Sequence, residues 1–176
     1  LQMYGAKQSV APAIDELAQH SVVFTRAYTP TPHTSYALGS LFTGKYLRPV
    51  LALPGAPHEQ TTLPQLVRRF GYRTAAFYPP AVFFVDEDRF GPLARDHFGF
   101  EYVKEMFASA AERVGQLEEY LKQGDPRFPV LVWVHLFEPH EPYEALPQFA
   151  RGDELEQRYD AEVAAADASV GDLVRL

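Results

Sequence analysis

The run Pro129-Val130-Leu131-Val132-Trp133-Val134-His135-Leu136 is almost continuously apolar, and it constrains the fold more than any other stretch of the chain. A strand with one covered face alternates apolar and polar residues, whereas one apolar at nearly every position suits a central strand covered on both faces. Such a strand calls for a sheet with helices above and below it. Val10 to His20 places Ile14, Leu17 and Ala18 at helical spacing. Ser35 to Thr43 reads as a helix ended by Gly44, and Thr62 to Phe70 as another, capped by Thr61 or Thr62, with Pro64 in its first turn and Gly71 as its stop. Met106 to Lys122 lines up Phe107, Ala110, Val114, Leu117 and Leu121 on one face. Asp153 to Leu176, capped by Asp153, does the same with Leu155, Tyr159, Val163, Ala166, Val170 and Val174. Ser21 to Tyr28 reads as a buried strand, Tyr72 to Tyr78 as a strand stopped by Pro79-Pro80, and Phe100 to Val103 as a short one. Leu47 to Pro57 reads as a surface loop, and Ala81 to Arg95 as a loop with one helical turn. Helices alternating with buried strands predict an α/β three-layer sandwich with a mostly parallel sheet, in a single domain over residues 1–176.

Composition narrows the function. The net charge of -7 and the lack of a Lys/Arg cluster argue against nucleic acid and against an anionic membrane surface. Cysteine is absent, which excludes disulfides, thiolate catalysis and cysteine-held zinc. No apolar run is long enough for a membrane span.

Ligands of parallel sheets gather beyond the carboxyl ends of the strands, and two candidate groups fall there. Thr34 follows the strand at 21–28 and the stiff Thr29-Pro30-Thr31-Pro32 segment, at a helix start where the dipole favours an oxyanion or alkoxide. Taken alone, the position reads first as an ordinary N-cap, Thr34 or Ser35. His140 stands between Pro139 and Pro142 after the apolar run, either presenting its imidazole to a substrate oxygen or bonding a nearby carbonyl in a turn. Lys45 is a candidate for screening an anionic substrate or a plain helix-end cation. Asp86-Glu87-Asp88 suits a hard cation or a solvated loop. His135 reads as a core residue, and His20, His58 and His97 have no partners at ligand spacing.

Several blocks, taken in order, resemble the sulfatase family of the alkaline phosphatase superfamily. They are Ala13-Ile14-Asp15-Glu16-Leu17-Ala18, Val23-Phe24-Thr25-Arg26-Ala27-Tyr28, Ser40-Leu41-Phe42-Thr43-Gly44-Lys45-Tyr46, Gly71-Tyr72-Arg73-Thr74-Ala75, Glu138-Pro139-His140-Glu141-Pro142-Tyr143 and Tyr159-Asp160-Ala161-Glu162-Val163. The resemblance implies a metal-dependent hydrolase of sulfuric or phosphoric esters. It puts Thr34 at the nucleophile position, ten residues before Gly44, where a small shift of the helix start would present Ser35 instead, and His140 on the histidine of the family's Asp-Pro-His-x-Pro-Tyr block; Ser35 and Lys45 are the candidate substrate-binding neighbours. Thr34 would also ligate the divalent cation (Ca, Mg, Zn or Mn). The family's aspartates and late Asp-His-Gly block have no counterpart in these residues, so the chain is expected to be an internal, incomplete portion of an alkaline phosphatase-like domain that by itself holds no metal and turns over little.

The family's arginine and proline after the nucleophile fall on Leu38 and Tyr36, and Phe77-Tyr78-Pro79-Pro80 replaces its Gly-Lys-Trp-His segment. Threonine cannot become formylglycine, but its alkoxide attacks phosphorus. The expected function is therefore a sulfatase-like hydrolase with a metal-assisted hydroxyl. The alternatives are a phosphodiesterase or phosphotransferase using Thr34, and a degenerate sulfatase-like binding module. The resemblance further implies a small-molecule, glycan or lipid ester as substrate and leaves the compartment open, export being common in the family. A bare sheet edge would make the isolated piece self-associate.

Overall fold

The structure, a computed structural model, describes residues 1–46, 61–83, 90, 93–144 and 147–176. The predicted loop at 47–57, His58 and the acidic triplet Asp86-Glu87-Asp88 lie outside the described residues. The chain divides into two compact units of interleaved segments, one of Leu1–Ala27, Ala108–Gln123 and Leu136–Leu176, the other of Tyr28–Phe107 and Gly124–His135.

The second unit holds a parallel sheet of three strands, β1 (Arg73–Tyr78), β2 (Tyr102–Glu105) and β3 (Val130–Val134), in the order β2-β1-β3. Ala75 pairs with Tyr102 on one side and with Val132 on the other. β1, flanked on both edges, is buried from Thr74 to Tyr78, and Pro79 ends it because proline has no N–H for the ladder. The central strand is thus β1. β3, expected in the centre, has β1 on one side and is half-buried throughout. Its apolar run reports on the covering of faces, and strand order is set by pairing, which that pattern does not encode.

Helix α2 (Thr34–Thr43) starts where the Pro-rich segment ends, and Gly44, at φ +68°, closes it by donating its N–H to the Ser40 carbonyl at 2.8 Å. The inner face of α2 carries Tyr36 and Phe42 into a cluster with Ala76, Tyr78, Phe90, Phe98 and Phe100. Phe42 meets Trp133 edge-on at 5.0 Å, and Tyr36 meets Phe90 at 4.9 Å. Each such burial contributes about 1.5–3 kcal/mol, enough to lock the helix on the sheet. The short helix α3 (Leu63–Arg68) opens on a capping box in which Thr62 and Gln65 satisfy each other's backbone N–H, with Pro64 in the first turn as expected.

The first unit is helical: α1 (Pro12–Gln19), α4 (Ala110–Gln123) and α5 (Leu155–Arg175), with α5 packed on both of the others. Ala11, at the start of α1, has no capping side chain, and Asp167 of α5 takes the role. Its two carboxylate oxygens accept from the N–H of Ala13 at 2.9 Å and of Ile14 at 2.8 Å. α4 begins four residues later than its apolar pattern predicts, because Ser109 and Glu112 form a reciprocal box. The Glu112 carboxylate accepts from the Ser109 N–H at 2.7 Å, and the Ser109 hydroxyl accepts from the Glu112 N–H at 3.3 Å.

Two further expectations are corrected. Residues 21–28 form no strand; Val22, Phe24 and Tyr28 are 81%, 69% and 87% exposed. A β-prone segment becomes a strand only with a neighbour to pair with, and no described residue pairs with this one. On α5 the predicted apolar stripe is only partly covered, with Leu155 and Val174 exposed, while Glu162, Asp167 and Ser169 are buried. These polar groups are tolerated because backbone groups satisfy them: Glu162 accepts from the Glu144 N–H at 2.5 Å, and the Ser169 hydroxyl donates to the Ala165 carbonyl at 3.3 Å.

Candidate active site

The three parallel strands end together at Tyr78, Glu105 and Val134, so the carboxyl edge of the second unit's sheet is where a ligand site is expected. The start of α2 is tied to this edge. Ser35, 1% exposed, donates its hydroxyl to the carbonyl of Val82 at 2.6 Å, in the 3-10 turn Pro80–Phe83 that leaves β1. Ser35 is thereby committed to structure. Thr34, the first residue of the helix, is exposed, and no side chain caps the turn it opens. The N-cap position belongs to His33, in extended conformation, whose N–H donates to the Thr31 hydroxyl at 3.3 Å. Pro30, Pro32 and the bond from the Thr29 hydroxyl to the Thr31 carbonyl at 2.9 Å stiffen the approach. Lys45 follows the other end of α2, about 15 Å from Thr34 along a ten-residue helix. It lines an open groove of about 560 Å3 with Tyr28, Pro30, Leu38, Leu41 and Tyr46.

His140 belongs to the first unit. Its ring stacks on Phe137 at 4.6 Å, and its Nδ1 lies 2.8 Å from the carbonyl of Glu141, the turn bond foreseen as one of its two readings. Nδ1–H donating to that carbonyl leaves Nε2 as the other working nitrogen. Glu138, where the family has aspartate, accepts the Ala110 N–H of α4 at 3.1 Å. It lies near the buried Arg113, whose pKa is pulled down by burial and partly restored by Glu112 and Glu138. The segment carrying His140 is thus fastened to the start of α4 through Glu138.

The sequence reading missed a second group at the carboxyl edge. Tyr78 is 2% exposed and stacked on Trp133 at 4.7 Å, and its hydroxyl lies 2.8 Å from Nδ1 of His97. The Glu105 carboxylate is 3.8 Å from the same nitrogen. Burial first, then the charge and hydrogen bond of Glu105, push the Tyr78 pKa well above its usual value, so the phenol keeps its proton. His97 and Phe98 sit at φ 44° and 54°, in the left-handed region that costs a non-glycine residue about 1–3 kcal/mol. Phe98 is pinned in the core, and its carbonyl accepts from the Thr62 hydroxyl at 2.5 Å. One signal was available in the sequence: Tyr78 ends the strand predicted at 72–78, whereas Glu105 falls beyond the predicted strand at 100–103 and ends β2 only in the structure. Among the described residues no three His, Asp or Glu side chains converge as a metal site.

This architecture, an α/β unit with a parallel sheet, is alkaline phosphatase-like in fold. The sulfatase family model matches residues 1–176, and the chain belongs to the sulfatase family. Among solved structures it is similar to Ps i-CgsB, at 19% identity and a TM-score of 0.67, covering 97% of this chain and 50% of that one. It is also similar to the lipoteichoic acid synthase LtaP of Listeria monocytogenes (18%, 0.68, 96% and 46%) and to an alkaline phosphatase superfamily protein of Vibrio parahaemolyticus (21%, 0.66, 94% and 44%). The chain spans about half the length of these structures. No curated protein sequence matches it.

Proposed function

We propose that the protein containing this chain is an ester hydrolase or transferase in which Thr34 is the nucleophile. The observation that carries this reading is an exposed hydroxyl on the first residue of α2, uncapped by any side chain, while its neighbour Ser35 is occupied by the Val82 carbonyl. The helix dipole at that end favours the negative charge that develops on the attacking oxygen and on the ester. Threonine supports phosphoric over sulfuric esters, because it cannot be converted to formylglycine and attacks phosphorus as it stands. Thr34 Oγ forms the new bond to phosphorus as the ester oxygen leaves with a proton. His140, through Nε2, is the group assigned to an oxygen of the anion. Lys45, a helix length away, adds only screened potential.

The family's divalent cation would take Thr34 as one ligand and lower the barrier to its deprotonation. The described residues do not assemble a metal site themselves. The unbroken family match supports a single domain over residues 1–176. One similar structure is Ps i-CgsB in complex with k-i-k-neocarrahexaose, at 18% identity; a carbohydrate ester is accordingly one substrate class to test, beside lipid and small-molecule esters.

The test is turnover of aryl phosphate, aryl sulfate and phosphodiester substrates by the full-length protein and by Thr34→Ala. Loss of the nucleophile is expected to lower kcat by about a thousandfold or more, with the phosphoric ester preferred. Undiminished turnover in the variant removes Thr34 from the mechanism, and no turnover by the parent leaves the binding-module reading.

A further inference from the structure

We propose that His97 is an acid–base catalytic residue of this site, delivering a proton from Nε2 to the leaving oxygen of the ester, with Tyr78 and Glu105 as its positioning residues. The inference rests on the hydrolase reading above and adds to it a residue that neither the family blocks nor the nucleophile argument supplies.

The position of the Glu105 carboxylate beside the Tyr78 hydroxyl and Nδ1 of His97 favours one direction for each hydrogen bond. The Tyr78 hydroxyl keeps its proton, and the Glu105 carboxylate is an acceptor within its reach. With that proton turned toward Glu105, a lone pair of the phenol oxygen faces Nδ1 of His97 at 2.8 Å and accepts from an Nδ1–H. Glu105, 3.8 Å from Nδ1, adds its charge on the same side. The neutral ring therefore carries its hydrogen on Nδ1 and leaves Nε2 bare, so Nε2 is the nitrogen that takes and gives the exchangeable proton. A carboxylate acting through a hydroxyl fixes the orientation of the ring, much as the aspartate of a serine-protease triad does directly. Among the described residues nothing bonds Nε2, and the His97 side chain is 40% exposed.

The site is also where such a group is useful. Tyr78 and Glu105 are the last residues of adjacent parallel strands, and the turn that holds Ser35, next to Thr34, begins two residues after Tyr78. His97 is held there against backbone strain by Phe98 in the core, by the Thr62 hydroxyl on the Phe98 carbonyl, and by Gln65 Nε2 donating to the Asp96 carboxylate at 3.1 Å. Strain retained at the edge of a site, against a ring whose orientation is fixed, is the pattern expected of a positioned functional group.

As the Thr34 oxygen releases its hydroxyl proton to solvent water and bonds to phosphorus, the bond from phosphorus to the ester oxygen breaks and the electron pair stays on that oxygen. The oxygen takes the Nε2 proton of the imidazolium and departs as an alcohol, leaving His97 neutral, and solvent water restores the proton.

The test uses the full-length protein and two phosphoric esters that differ in leaving group, a nitrophenyl ester that departs without a proton and an alkyl ester that needs one. His97→Asn is the variant of choice, because asparagine tolerates the left-handed backbone. It is expected to lower kcat about 100-fold or more on the alkyl ester and less than about threefold on the nitrophenyl ester. Tyr78→Phe, which keeps the ring against Trp133, is expected to lower kcat on the alkyl ester alone, with KM unchanged. Equal losses on both esters, or none on either, overturn the role of His97.

Nitrogen-15 spectra of the ring provide a measurement independent of turnover. The neutral form should show hydrogen on Nδ1 in the parent, and Tyr78→Phe should release that preference. A parent with hydrogen on Nε2 overturns the proposal even in an active enzyme. Activity that survives Thr34→Ala but retains the leaving-group pattern in His97→Asn overturns the nucleophile alone. A parent inactive on both esters overturns the hydrolase reading and the His97 role together.

Discussion

At the residue scale, the difference between Thr34 and Ser35 shows how one helical position decides chemistry. Both are hydroxyls at the start of α2, and the sequence offered either as cap or nucleophile. The helix turns Ser35 inward to the Val82 carbonyl and leaves Thr34 outside. Tyr78 is a second case. Its raised pKa means that the unfolded phenol ionises first, near its ordinary value of 10.0, while the folded one keeps its proton. Its contribution to stability is thus fully present below that value and is lost as the pH climbs beyond it, by up to about 1.4 kcal/mol per pH unit. Denaturant midpoints followed from neutral to about pH 11 should fall less steeply in Tyr78→Phe than in the parent; parallel curves would show that the phenol titrates as in water.

At the element scale, helix starts were legible where the cap is local and obscure where it is not. The Thr62–Gln65 box agrees with the reading of Thr62 as a cap, and Ser109–Glu112 could have been read the same way, which would have moved the start of α4 from Met106 to Ala110. The start of α1 was of another kind, since its cap comes from Asp167 on α5. No local pattern announces a cap that arrives from a different helix. Asp167→Ala should cost about 2 kcal/mol in urea unfolding and speed hydrogen exchange at Ala13 and Ile14. Asp167→Asn, with one carbonyl acceptor left, should fall between; an unchanged midpoint in the alanine variant would mean that water caps α1 equally well.

At the scale of the whole molecule, the described residues leave large apolar side chains in solvent: Val22 81%, Phe24 69%, Tyr28 87%, Leu41 65% and Tyr46 74% exposed. Among the described residues β2 and β3 each pair with β1 alone. Surfaces and edges of this kind associate, and the 176-residue polypeptide by itself is expected to sediment as concentration-dependent oligomers. Phe24→Lys with Leu41→Lys should reduce the association, and a clean monomer at high concentration of the unaltered chain would contradict it. The sequence by itself determined the class of fold, the positions of α2, α3 and β1, and the family, because apolar period, capping residues and proline stops act over a few residues. Only the tertiary structure decided that β1 is central, that Ser35 is occupied, that Asp167 caps α1 and that His97 meets Tyr78 and Glu105. Each of these joins residues far apart in the chain, and such pairings depend on which surfaces are brought together, a property that no local spacing records.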